Sequence, residues 1–122
     1  MAVVSWNTSA LLDRCLRSLL ADVEQGLAEV WVVDNASSDG SAEMVREQHP
    51  WAKLVALPEN VGYGRAVNLV ADRTSSLWLA IANADVELTP RALELLVGAG
   101  EADPAAGVIA PRLVLPTGET QH

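Results

Sequence analysis

Four short apolar runs, Ala2 to Ser5, Glu29 to Val33, Lys53 to Leu57 and Leu77 to Ala82, alternate with stretches whose apolar residues recur at helical spacing. Runs that are apolar throughout, and not at every second residue, belong to strands covered on both faces. Strands separated by helices connect through crossovers, so the alternation predicts an α/β fold with a Rossmann-like, doubly wound and mostly parallel sheet. Right-handed crossovers put the first strand in the centre, the second and third to one side and the fourth to the other. Ligands of such sheets bind where the strand order reverses, here between the carboxyl ends of the first and fourth strands.

The helices can be placed from their apolar faces. Leu12, Cys15, Leu16, Leu19 and Leu20 share one face, with Thr8 or Ser9 available as the cap and Gly26 as the stop. A polar loop from Asp34 to Ser41 leads into a short helix carrying Met44 and Val45, which His49-Pro50 ends. A third helix runs from about Arg65 to Arg73 and buries Ala66, Val67, Leu69 and Val70. Thr89 as N-cap with Pro90 at the first helical position reads as the best helix start, and Leu93, Leu96 and Val97 give that helix its core face. Val108 to Ala110 is a candidate fifth strand, with Leu113 to Leu115 extended after it and a turn signal at Pro116-Thr117-Gly118. The chain of 122 residues is large enough for one core, so a single domain over 1–122 is expected. Its apolar opening and its stop just past a turn signal suggest a portion of something longer.

Charge and cysteine content exclude several classes. With 16 acidic against 8 basic residues the formal charge is −8, and Lys53 is the only lysine, which disfavours nucleic acid or an anionic lipid surface as partner. The single cysteine, Cys15, permits neither an internal disulfide nor a thiolate metal cluster, and its leucine neighbours mark it as a buried structural thiol. No apolar run approaches the length of a membrane span, and no signal-peptide pattern opens the chain.

Asn7, Asp34 and Asn83 to Asp85 all fall at carboxyl ends of expected strands, so they converge on one crevice. A lone loop Asp ordinarily caps a helix or faces water. Asn83 and Asp85, however, leave the fourth strand at i and i+2, a spacing that presents two oxygens to one cation, with Asp85 the strong ligand and Asn83 the weaker, neutral one. An acidic crevice repels a diphosphate by roughly 4 kcal/mol for unit charges about 4 Å apart at an intermediate dielectric. A divalent metal, Mg²⁺ or Mn²⁺, removes that conflict by bridging carboxylate and phosphate oxygens. Asp34 can accept hydrogen bonds from the imide N–H of a pyrimidine or from ribose hydroxyls. Arg65 can donate to a base carbonyl or to phosphate, with a solvated Arg as the competing reading, and Trp6 can stack on a base. Gly62-x-Gly64 follows the third strand, not the first, and Val67 replaces a third glycine, so it is no dinucleotide fingerprint. A Walker-type phosphate loop and a hydrolase elbow are both missing from the sequence.

Four stretches, Val3-Val4-Ser5-Trp6-Asn7, Val33 to Ser41, Asn60 to Asn68 and Asn83 to Leu88, resemble in order and spacing the family 2 glycosyltransferases of GT-A fold. Pro111-Arg112-Leu113 with Pro116 to Gln121 is similar to the following segment of bacterial rhamnosyltransferase-like members. The resemblance implies transfer of sugar from a nucleoside diphosphate, UDP- or dTDP-linked, to a hydroxyl of a glycan or lipid-linked acceptor in polysaccharide synthesis. It implies nucleotide binding by Ser5, Asn7, Asp34, Asn35, Asp39, Arg65 and Asn83, and Mg²⁺ or Mn²⁺ held on the diphosphate by Asp85. It also implies a cytoplasmic location, with membrane association in a longer protein. The carboxylate that deprotonates the acceptor lies past the metal motif in this family, so no residue here is assigned as general base. The expectation is thus a donor-binding portion that does not turn over alone. Rival readings are a non-catalytic nucleotide-binding module and a sugar-nucleotide nucleotidyltransferase, which lacks here its Gly-rich basic loop after the first strand. A phosphoreceiver-like domain lacks its Asp at the end of the third strand and its late Lys.

Overall fold

A computed structural model describes residues 1–115 and 117–121. The chain divides into two compact units, Met1–Thr89 and Pro90–His122. The first unit runs β1 (Ala2–Ser5), α1 (Ser9–Glu24), β2 (Trp31–Asp34), α2 (Ser41–Gln48), β3 (Lys53–Ala56), α3 (Tyr63–Ala71) and β4 (Ile81–Asn83). All pairings are parallel and the strand order is β3-β2-β1-β4, the order expected from the crossovers. Ser5 pairs with Asp34 and Val4 with Asn83, so the carboxyl ends of β1, β2 and β4 lie at nearly one level.

The two central strands form the heart of the unit. Ala2, Val3, Val32 and Val33 have no exposed surface. Their side chains alternate between faces. Ala2, Val4 and Val33 pack with Ala66 and Val70 of α3, with Trp31, Val55, Leu57 and Val67 around them. Leu12, Cys15, Leu16 and Leu19 form the buried face of α1, as their spacing predicts, and Val45 of α2 is fully buried as well. Each fully buried leucine contributes about 1.5–3 kcal/mol relative to an exposed one. Gly26 turns left-handed (φ 72°) and ends α1, its amide donating to the Val23 carbonyl.

A polar clasp joins α1 to the end of α2. His49 is buried, its Nε2 lies 2.8 Å from Asp13 Oδ1, and Arg17 Nε donates to both Asp13 oxygens at 2.9 and 3.1 Å. The Arg17 hydrogen bond holds the Asp13 carboxyl below the usual carboxylate range.

Several expected boundaries move. β2 begins at Trp31, not Glu29, because its ladders with β1 and β3 start at Ala2↔Trp31 and Trp31↔Lys53; the Glu29 side chain, before the strand, accepts from Trp31 Nε1 and Lys53 Nζ, both at 2.6 Å. α3 starts at Tyr63, two residues before Arg65, since Gly62 in a left-handed conformation (φ 83°) makes the entry turn. The fourth strand is three residues long, not the buried run Leu77 to Ala82. It has a hydrogen-bonded neighbour on one side only, and Ile81 is 54% and Leu77 85% exposed.

In the second unit, α4 spans Ala92–Ala102. It does not start at Thr89-Pro90. Pro90 and Arg91 form a turn, Arg91 adopts a left-handed conformation (φ 66°), and its guanidinium grips Glu94 at 2.9 and 3.0 Å across the first turn. No strand forms at 108–110, where Val108 is 90% exposed. The extended reading of Leu113 to Leu115 holds in reduced form, as an antiparallel bridge between Val114 and Thr120. The Gly118 amide closes the intervening turn on the Leu115 carbonyl, while Pro116 of that turn and His122 lie outside the described residues.

Candidate functional site

The strand order reverses between β1 and β4, and there a crevice of about 440 Å³ opens above their carboxyl ends. Val4, Ser5, Trp6 and Thr8 line it from β1 and the loop beyond, Asn35 from the end of β2, and Asn83, Ala84 and Asp85 from the end of β4. Asn60, Gly62 and Tyr63 reach it because α3 packs over β1 and β2, carrying the β3–α3 loop to the centre of the sheet.

Four of the residues singled out from sequence therefore meet: Ser5, Asn35, Asn83 and Asp85. Ser5 is buried and its hydroxyl shares a hydrogen bond with Thr8 Oγ1 at 2.9 Å. Asn35 is buried too, its Oδ1 accepting the Val61 amide at 2.9 Å and fixing the β3–α3 loop to β2. Asn83 and Asp85 are exposed, and neither side chain has a hydrogen-bond partner among the described residues.

Asp34, expected in the crevice, is not among the residues lining it; it lies beside Ser5 and Asn35, paired with Ser5 across the strands and 2% exposed. Its Oδ2 accepts the Ser37 amide at 3.1 Å, whereas its Oδ1 is buried with no partner. A buried carboxylate oxygen left unpaired is costly. A ligand N–H or O–H would satisfy it.

Three other expected residues are placed differently. Asn7 Oδ1 accepts the Ser38 amide at 2.8 Å, and the Asn7 amide donates to Ser37 Oγ at 2.9 Å. Asp39 Oδ2 accepts the Ser9 amide at 2.8 Å, supplying the α1 cap that Thr8 does not make with its side chain, and its Oδ1 accepts the Ser41 amide and hydroxyl. Burial pushes the Asp39 carboxyl up, but the hydrogen bonds from Ser41 and Ser9 together hold it below its ordinary value. Arg65 is exposed on the first turn of α3 and is not among the residues lining the crevice.

Thr8, Asn60 and Tyr63 line the crevice without having been singled out from sequence. Tyr63 is 41% exposed, and burial of its phenol raises the pKa above the ordinary tyrosine value. Trp6, 57% exposed, stands at the mouth of β1. The two aromatic rings in one crevice give it flat apolar surface beside its carboxamides and carboxylate. The signal for Tyr63 in the sequence is its place directly after Gly62, whose positive φ (83°) makes the entry to α3 beside the crevice.

The donor set suits a hard divalent ion. Among the described residues no three His, Cys, Asp or Glu side chains gather as a metal cage. Asp85 is the single carboxylate lining the crevice, with the Asn83 carboxamide near it in the chain. An ion of the Mg²⁺ type commonly keeps several waters and is held by one or two carboxylates plus substrate phosphates, so this sparse set fits only if a ligand brings oxygens of its own. Cys15 plays no part, since burial, with Asp85 and Glu87 adding to it, pushes its thiol up to about 12.

Comparison with known proteins gives this geometry its context. The profile of the family described as Glycosyl transferase family 2 matches residues 1–121. An N-acetylglucosaminyl-diphospho-decaprenol L-rhamnosyltransferase of Mycobacterium tuberculosis is 28% identical over 97% of this chain, which spans 42% of that protein. The succinoglycan biosynthesis protein ExoO of Rhizobium meliloti is 31% identical over 82% of the chain and 29% of its own length. Among solved structures, the mannosyltransferase PcManGT of Pyrobaculum calidifontis, in complex with GDP-Man and Mn²⁺, superposes with a TM-score of 0.77 at 30% identity. That match covers 87% of this chain and 32% of the other. S. aureus TarS shares the fold, with a TM-score of 0.71 at 20% identity over 83% of this chain and 19% of its own. The chain thus spans less than half the length of the curated relatives it matches.

Proposed function

The chain belongs to glycosyl transferase family 2, and from that membership we propose that it is the donor-binding portion of an enzyme that moves sugar from a nucleoside diphosphate to an acceptor hydroxyl. The observation that carries the reading is the crevice at the β1/β4 switch point, where Asn83 and Asp85 face Trp6, Asn35 and Tyr63. In this reading the buried, unpaired Oδ1 of Asp34 accepts a hydrogen bond from the nucleobase or the ribose. Ser5, Asn35 and Asn83 supply the remaining polar contacts to the nucleotide, and Trp6 or Tyr63 stacks on the base. Arg65 reaches the nucleotide only by swinging in from the first turn of α3.

Asp85, with Asn83 near it, would hold a divalent ion of the Mg²⁺ or Mn²⁺ type, and such an ion would supply Lewis-acid neutralisation of charge on the departing nucleotide. In this reading the aromatic rings exclude water from the base, and Asp34 fixes the nucleoside. The complex of the Pyrobaculum mannosyltransferase with GDP-Man and Mn²⁺ supports a metal-assisted donor site. The rhamnosyltransferase and ExoO relatives support an acceptor that is lipid-linked or part of a growing polysaccharide, with UDP or dTDP as the carrier we favour.

Calorimetry of the chain with UDP, dTDP and GDP, each with and without Mn²⁺, tests this directly. One of the three binds, and binds more tightly with Mn²⁺. Binding that ignores the metal and survives Asp85→Ala unchanged sinks the metal assignment, and absence of binding to all three sinks the donor-site reading.

A further inference from the structure

Asn7 has none of its side chain in the crevice lining, yet it sits between two strand ends that do reach the crevice. Its backbone is left-handed (φ 53°), a conformation that Asn tolerates better than most residues. That turn lets its amide donate to Ser37 Oγ at 2.9 Å while its Oδ1 accepts the Ser38 amide at 2.8 Å. Ser37 is held from its other end as well, because its own amide donates to Asp34 Oδ2 at 3.1 Å. Between Asp34 and Ser37 the chain passes through Ala36, left-handed at φ 64° with no glycine to ease it. A strained loop keeps such a shape only where contacts impose it: Asn35 is held by Ser5 and Val61 and Asp39 by Ser9, and among the described residues the outside hydrogen bonds on Ser37 and Ser38 come from Asn7. The outcome is a carboxylate with one oxygen tied down and the other buried and unpaired.

We infer that Asn7 is a positioning residue for Asp34: by clamping Ser37 and Ser38 it locks the Asp34 carboxylate with Oδ2 tied to the loop and Oδ1 left unpaired for a ligand. This deepens the donor-site reading and rests on it. The β1–α1 loop and the β2–α2 loop then act as one piece, and ligand affinity depends on a residue that never touches the ligand. Asp39 ties the same two loops farther out, at the Ser9 amide, and does not touch Ser37.

A double-mutant cycle on the full chain tests it, read by calorimetry with the nucleotide among UDP, dTDP and GDP that binds in Mn²⁺. Asn7→Ala lowers affinity about tenfold in the wild-type background and by less than about twofold in Asp34→Ala, because residues acting through one group are not additive. Asn7→Asp, which keeps an acceptor oxygen and tolerates the left-handed turn, restores most of the loss. Hydrogen exchange provides a second measurement that needs no ligand. The Ser37 amide is protected in the wild type and exchanges at least about tenfold faster in Asn7→Ala, while amides of β1 and β2 keep their protection. Equal losses in the two backgrounds, or an unchanged Ser37 amide, overturn the inference while leaving the donor site standing. Failure of the wild-type chain to bind any of the three nucleotides overturns both.

Discussion

Asp34 ends β2 and Asp85 lies in the turn just past β4, on opposite sides of β1, but one is 2% exposed and tied by its own loop, and the other is exposed with no protein partner among the described residues. The difference follows the strands that carry them. β2 lies between two neighbours with Val32 and Val33 fully buried, whereas β4 is three residues long with a neighbour on one side. A carboxylate on the rigid side can be aimed before any ligand arrives, which suits recognition of a fixed pattern of N–H and O–H groups. A carboxylate on the thin side keeps its freedom and its hydration, which suits an ion that keeps part of its own water shell. One wall of the crevice is preorganised and the other is completed by what binds.

The largest effect that can break this contrast is on metal dependence. Asp85→Ala removes the gain in nucleotide affinity that Mn²⁺ brings, up to about 10³-fold if unit charges near 4 Å are being neutralised, while the metal-free affinity measured by calorimetry rises, because the carboxylate that repels the diphosphate is gone. Next comes the core behind the rigid wall: Leu16→Ala lowers unfolding free energy by about 3 kcal/mol in urea titrations. Asp34→Ala comes third, weakening nucleotide binding about 10- to 100-fold with and without metal alike, as loss of a charge-assisted hydrogen bond does. A smaller effect is due at the thin side, where Ile81→Ala costs under about 1 kcal/mol of stability because the side chain is already half in water. A cost there equal to that of Leu16→Ala would erase the distinction between the two sides.

The smallest effect is one of pH. The Asp39 carboxyl is held below its ordinary value in the folded chain, so its contribution is complete above the unfolded Asp value and is lost as pH falls through the folded one. Protection of the Ser9 amide at the start of α1, taken relative to its intrinsic exchange rate at each pH, therefore falls below about pH 4, and Asp39→Asn blunts that acid response.

The order of the sheet was legible because the four short apolar runs are separated by stretches of helical periodicity, and crossover handedness leaves few arrangements of four such runs. The length of β4 was not, because Leu77 to Ala82 has the composition of a buried strand, and composition does not record that only one neighbour pairs with it. Thr89-Pro90 carried every local mark of a helix start, but Arg91 clasping Glu94 moved the start to Ala92. In the site, carboxyl-end placement puts Asn83 to Asp85 on the crevice but not Asn7 or Asp34, while Ser5 and Asn35, which only the family resemblance named, do line it. The roles of Asn7 and Asp39 were harder to see, since a loop Asn or Asp can face a ligand or a backbone amide equally well. The serine-rich run from Ser37 to Ser41, full of amides without sheet partners, is the clue that they face backbone. Tyr63 was not legible and Arg65 was overread because both stand on the first turn of α3, and which of two residues so close in the chain faces the crevice depends on how the helix is rotated, which spacing alone does not fix.

The sealed thiol of Cys15 has a practical side. Pushed up to about 12 and without exposed surface, it stays protonated and out of reach of ordinary thiol reagents in the folded chain. A cysteine introduced at the exposed Glu59, one residue before Asn60 on the rim of the crevice, is then the sole reactive sulfur in the molecule. A single fluorophore placed there reports occupancy of the crevice in a chain whose native cysteine never has to be removed.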